Sequence, residues 1–154
     1  MVEDLRTSHR LNIGRGGDFV VEVRHPTRNL WRDFAYGSSV SGVLKTEIDA
    51  DIARKDGFVA ANGAIAFELL LRAALERGPI HAILGHWFPD SVNYRVYNNG
   101  LAKGLTKVEA ALDTWTGGQA KHWGFGREVR VDDSDAFHVR VLFMQESHDD
   151  QTGT

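Results

Sequence analysis

Seven histidines give this chain its clearest means of moving protons: His9, His25, His81, His86, His122, His138 and His148. An imidazole titrates close to neutrality, so one at the rim of a cleft can act as general acid or base. His86 stands out among them. It comes near the end of an apolar run, Ile80 to Phe88 (IHAILGHWF), beside Trp87 and just before a loop. Sheet proteins often place reactive groups at such positions. The competing reading is a half-buried ring bonded to backbone. A metal site is not expected. No two histidines have HExxH spacing, and His81 and His86 on one strand face opposite sides.

Other residues could hold an anion. Arg95 follows His86 in a segment with Asn93, Asn98 and Asn99. Its guanidinium suits a phosphate, and equally a solvated helix face. The stretch Thr114 to His122 (TWTGGQAKH) predicts a helix starting at Gly117, whose open amides would attract an anion. Thr116 would orient the bound group, with Lys121 adding charge; plain capping by Thr116 and Gln119 accounts for the same residues. Lys45 and His138 lie on alternating strands. If those strand faces line a cleft, both would meet His86. The expected site therefore has His86, Thr116 and His138 as catalytic groups and Arg95, Gly117, Lys121 and Lys45 as substrate ligands. A base, a phosphate-binding cation and an orienting hydroxyl are enough for metal-independent RNA cleavage. No cofactor is expected. The glycines of Gly14-Arg15-Gly16-Gly17 lack the Lys-Ser/Thr of a phosphate loop and read as a flexible linker.

These groups need a scaffold. The longest apolar-rich stretch, Gly57 to Arg77 (GFVAANGAIAFELLLRAALER), predicts one long helix, with Asp56 as N-cap and Gly78-Pro79 as stop. Apolar residues cover most of its circumference and leave Glu68, Arg72 and Glu76 as the wet stripe, so other elements should wrap it. Strands are predicted over Phe19 to Arg24, Val43 to Ile48, Ile80 to Phe88, Arg127 to Asp132 and Phe137 to Gln145. The last two read as a hairpin through the turn-rich DDSDA. Gly37-Ser38-Ser39 reads as a turn, and helices are expected after Ser91, after Thr106 and from Gly117. The expected fold is α+β: a mainly antiparallel sheet packed on one long central helix, with extra helices between strands. Residues 1–18 read as a flexible arm, 19–145 as a single domain and 146–154 as a polar tail.

Composition narrows the classes. The 154 residues contain no cysteine, which removes disulfides, thiolate nucleophiles and zinc–cysteine sites. A net charge of −3 disfavours broad non-specific nucleic-acid binding. No apolar run is long enough to span a bilayer, so no membrane partner is expected. The polar opening MVEDLRTSHR does not read as a signal peptide; a domain that leaves its cell is then expected to travel on a larger polypeptide.

The segment Gly85-His86-Trp87, Asn93, Tyr97-Asn98-Asn99-Gly100-Leu101, Gly104-Leu105-Thr106, Glu109-Ala110-Ala111, Thr114-Trp115-Thr116-Gly117, Ala120 and Gly124-Phe125 resembles C-terminal domains of bacterial polymorphic toxins. The resemblance covers the last half of the chain and assigns no catalytic residue. It implies a bacterial effector delivered by a carrier, attack on a target-cell component, and a cognate immunity protein. Two other readings compete with a nuclease. One is a non-catalytic binding protein, such as an immunity protein whose acidic charge captures a basic toxin. The other is an enzyme acting on a small nucleotide such as NAD.

Overall fold

The computed structural model describes residues 8–14, 18–49, 51–52 and 57–145. The chain divides into two compact units, Met1–Ile80 and His81–Thr154. It is α+β, with seven strands and four helices among the described residues.

In the first unit, β1 (His9–Ile13), β2 (Phe19–Arg24), β3 (Trp31–Val40) and β4 (Val43–Ile48) form an antiparallel meander of sequence neighbours. The stretch expected to be a loose arm thus supplies a strand. Gly37-Ser38-Ser39, expected to turn, runs on inside β3. The reversal comes instead at Ser41-Gly42, whose φ values of 52° and 80° make the two-residue turn that matches strand twist. Gly37 serves packing here: a Cβ on it would lie 3.0 Å from Leu70 Cδ2.

Helix α1 covers Gly63–Arg77, 15 residues. The single long helix from Gly57 is therefore not formed. Asn62 explains the later start, because its side chain accepts the Ala64 and Ile65 amides and takes over the N-cap. Before it, Gly57 has φ 76° and the Ala61 amide turns back to the Phe58 carbonyl. The proposed Asp56 cap lies outside the described residues. Nor is α1 wrapped on all sides. Ala66, Phe67, Leu70, Leu71, Ala73 and Ala74 are buried against β1 to β4, whereas Leu75 is 49% exposed. Spacing of i, i+3, i+4 and i+7 through Phe67, Leu70, Leu71 and Ala74 gives one apolar face, and Arg72 pairs with Glu68 on the wet one. We predict that Leu70→Ala destabilises the protein by about 2–5 kcal/mol in urea unfolding, the range for truncating a fully buried leucine.

One cross-link ties the unit's first strand to the helix start. His9 is buried, and its Nε2 accepts the Asn62 backbone N–H at 3.1 Å while Nδ1 lies 2.8 Å from Ser8 Oγ.

The second unit has β5 (Ala82–Trp87), α2 (Val92–Ala102), α3 (Lys107–Leu112), α4 (Trp115–His122), β6 (Glu128–Asp132) and β7 (Val139–Met144). β7 pairs antiparallel with both β5 and β6, so the expected hairpin through the aspartates is present. The Thr106–Glu109 capping box starts α3 as its spacing predicts. Helix α4 begins two residues earlier than expected, because Thr114 and not Thr116 is its N-cap. Strand alternation sends Ile83, Gly85, Trp87, Val139, Val141 and Phe143 to one buried face, and Trp87 packs there on Tyr97 of α2. His86 and Arg140, paired across β5 and β7, point to the other face.

Candidate active site

Two of the expected catalytic residues meet. His86 Nε2 lies 2.9 Å from His138 Nδ1, and His138 Nε2 lies 3.0 Å from Asp135 Oδ2. His86 is placed by β5. His138 is placed by the last turn before β7, in the loop that follows β6. Sequence separation of 52 residues between the two rings is closed by the antiparallel pairing of β5 with β7.

The hydrogen-bond roles follow from chemistry. An ionised Asp135 can only accept, so Nε2 of His138 carries the proton between them. Nδ1 of His138 then accepts from His86 Nε2–H. In this arrangement Nδ1 is the nitrogen of the His86 ring that carries the lone pair, the atom through which an imidazole acts as a base. The order carboxylate, imidazole, imidazole is the one by which a carboxylate orients an acid–base histidine. The Phe137 amide, first, and then His138 hold the Asp135 carboxyl below its ordinary range, which keeps it ionised near neutrality.

The loop between β6 and β7 is fastened at several points. Tyr97 is buried, and its hydroxyl donates to Asp133 Oδ2 at 2.8 Å. Lys107 Nζ donates to Asp133 Oδ1 at 2.9 Å. Tyr94, one turn before Tyr97 on α2, donates its hydroxyl to the Ala136 carbonyl at 3.2 Å. Asp132 accepts from both the hydroxyl and the amide of Ser134, and Asp135 accepts the Phe137 amide. Helices α2 and α3 therefore fix the loop that presents Asp135 and His138.

This fastening predicts a pH response. The Lys107 ammonium, chiefly, and the Tyr97 hydroxyl hold the Asp133 carboxyl below the usual 3.8. A carboxyl lowered in the folded state stabilises it above the unfolded value and loses that stability as pH falls through the folded one. Burial, then Asp133, raises the Tyr97 phenol above its usual 10.0. A raised group stabilises below its unfolded value, and the benefit is lost as pH climbs beyond it toward the folded value. Thermal unfolding midpoints should fall below about pH 4 and again above about pH 10. Tyr97→Phe should flatten the alkaline fall and cost about 1.5–3 kcal/mol near neutrality, as for a hydrogen bond to a charged group.

Thr116, Gly117, Arg95 and Lys121 of the second unit do not join the pair. Thr116 is 6% exposed, sits on the helix-covered side of the sheet, and its hydroxyl accepts from Asn93 Nδ2 at 2.8 Å. Asn93 Oδ1 also accepts the Trp115 and Thr116 amides. The Gly117 amide is capped by Thr114 Oγ1 at 2.9 Å. These bonds occupy the start of α4, so no anion site opens there. Gly117 is buried because helices α3 and α4 close on it: a Cβ would lie 2.2 Å from the Ala111 carbonyl oxygen. Its lack of a side chain serves packing and not a ligand. Arg95 and Lys121 are exposed on α2 and α4. Lys45 lies on β4 of the first unit, opposite Ser38.

Three participants escape the sequence reading. Asp135 sits in DDSDA, where composition signals only a turn; its i, i+3 spacing to His138 was the available clue. Arg140 becomes relevant only through its pairing with His86. Phe88 packs on His86 with ring centroids 4.6 Å apart. Among the described residues no three His, Asp or Glu side chains converge as a metal site. The pair itself explains this, since its nitrogens face each other and not a common point. None of the described helices is long and apolar enough to cross a membrane.

Comparison with protein-family models, with curated proteins and with solved structures finds no match to this chain.

Proposed function

We propose that the chain is an acid–base enzyme that cleaves RNA without a metal ion, as an effector domain of the polymorphic-toxin kind. The observation that carries this reading is the hydrogen-bonded series Asp135–His138–His86 beside an exposed arginine on the same sheet face. His86 takes the proton of a ribose 2′-hydroxyl. The freed O2′ attacks the adjacent phosphorus, and the bond from phosphorus to O5′ breaks. The proton held by the histidine pair passes to the departing O5′. Products are a 2′,3′-cyclic phosphate and a 5′-hydroxyl, and the pair returns to its starting state. Arg140 pairs directly with His86 across the strands, where directly opposed Cβ atoms lie about 5 Å apart. Its guanidinium is placed to hold the phosphate and the charge that develops on it. As a delivered effector, the domain would be neutralised by a cognate immunity protein.

The test uses the purified chain and a labelled RNA oligonucleotide in excess EDTA. Cleavage with cyclic-phosphate ends is expected, and a DNA oligonucleotide of the same sequence should survive because it lacks the 2′-hydroxyl. Intact RNA after long incubation would rule the reading out.

A further inference from the structure

We infer that Phe88 is the floor of a nucleobase subsite beside the histidine pair; this rests on the RNA-cleavage reading and names what that site would grip. Three rings cluster at the end of β5. His86 and Phe88 have centroids 4.6 Å apart, His86 and His138 4.8 Å, and Phe88 and His138 6.1 Å. Phe88 is nonetheless 47% exposed. Its ring lies against His86 and near His138, and about half of the residue is open to solvent. Folding gains little from a large apolar ring held in this way, half in water. Phe137, immediately before His138 in the loop that follows β6, is 75% exposed.

The neighbouring chemistry selects the occupant. A purely apolar ligand would leave Arg140 and the imidazoles with nothing to recognise. A free phosphate would use those groups and leave the phenyl face wet. A nucleotide has a flat aromatic base and a phosphate one sugar apart, and so uses both. Stacking on an aromatic side chain accepts any base, because every base has a π-face. The subsite therefore sets how tightly RNA binds and gives only weak preference among bases.

Binding can be read apart from cleavage. The imidazole NMR signals of His86 and His138 in the full chain would be followed during titration with adenosine 3′-monophosphate, uridine 3′-monophosphate and ribose 5-phosphate. Both nucleotides should move the signals at concentrations at least about tenfold below ribose 5-phosphate, in keeping with the worth of one stacked base. Phe88→Leu keeps an apolar side chain but removes the π-face, and should weaken nucleotide binding by about tenfold with ribose 5-phosphate unaffected. Phe88→Trp should restore it. Because Phe88 is half exposed, these variants should keep the wild-type unfolding midpoint. Equal responses to nucleotides and ribose 5-phosphate, or unchanged nucleotide binding by Phe88→Leu, would overturn the subsite. Nucleotide binding lost on Phe88→Leu in a protein that leaves RNA intact would uphold the subsite and remove only the cleavage reading.

Discussion

Under the proposed RNA-cleavage reading, His86→Ala should lower cleavage by about 100- to 10,000-fold, the usual worth of a positioned general acid–base group. The loss should fall on kcat more than on KM, because the proton is in motion at the transition state while Arg140 still holds the phosphate. His138→Ala should lose nearly as much, since the two rings act as one unit through their 2.9 Å hydrogen bond. Removing both should cost little beyond the first, as is usual for groups that work together. Asp135→Asn keeps a partner at the same place but lets its amide donate to His138 Nε2, which selects the wrong tautomer, and a loss as large as that of His138→Ala is expected. His86 is only half-buried, so its removal should leave the thermal midpoint within a few degrees of wild type. Full activity in His86→Ala would mean that the reaction runs elsewhere.

Gly117→Ala is the substitution with the largest expected effect on stability. Its Cβ would meet the Ala111 carbonyl oxygen at 2.2 Å and Leu112 Cα at 2.8 Å. Both obstacles are backbone, so no rotamer change relieves them; helices α3 and α4 must part. Overpacking of this kind costs about 3 kcal/mol or more. The neighbouring Gly118→Ala provides the contrast. Nothing lies within 4 Å of a Cβ there, and the position is helical and exposed. Alanine should stabilise that position by roughly 0.5–1 kcal/mol. Urea unfolding of the two variants should therefore shift in opposite directions. Equal shifts would mean that α3 and α4 are less tightly closed than described.

Local patterns were legible where they were self-contained. The FVVEVR alternation became β2, and the Thr106–Glu109 spacing became a capping box. The hairpin of β6 and β7 followed from two strand patterns around a turn-rich linker. Boundaries failed where two signals competed. In GFVAANGAIAFELL the hydrophobic pattern favours helix from the start, but Asn62 offers its side chain to two amides and wins the cap. In TWTGG both threonines have cap chemistry, and Thr114 prevails because Thr116 is engaged by Asn93, 23 residues away. Of the candidate site, His86 could be singled out by type and position. Its partnership with His138 could only be conjectured, because pairing of β5 with β7 skips every element between them. Asp135 is hidden for the same reason: its role depends on where the loop holds it, and distant tyrosines decide that.

The bond from the Asn62 amide to the His9 ring spans 53 residues of chain. During synthesis, β1 must therefore wait until the helix start has left the ribosome before its imidazole meets that amide. A chain halted before that point cannot latch β1 to the helix. Completion of the first unit is thus an event of its second half, and a protease cutting just after His9 in the finished protein would loosen the beginning of α1 as well as the strand it severed.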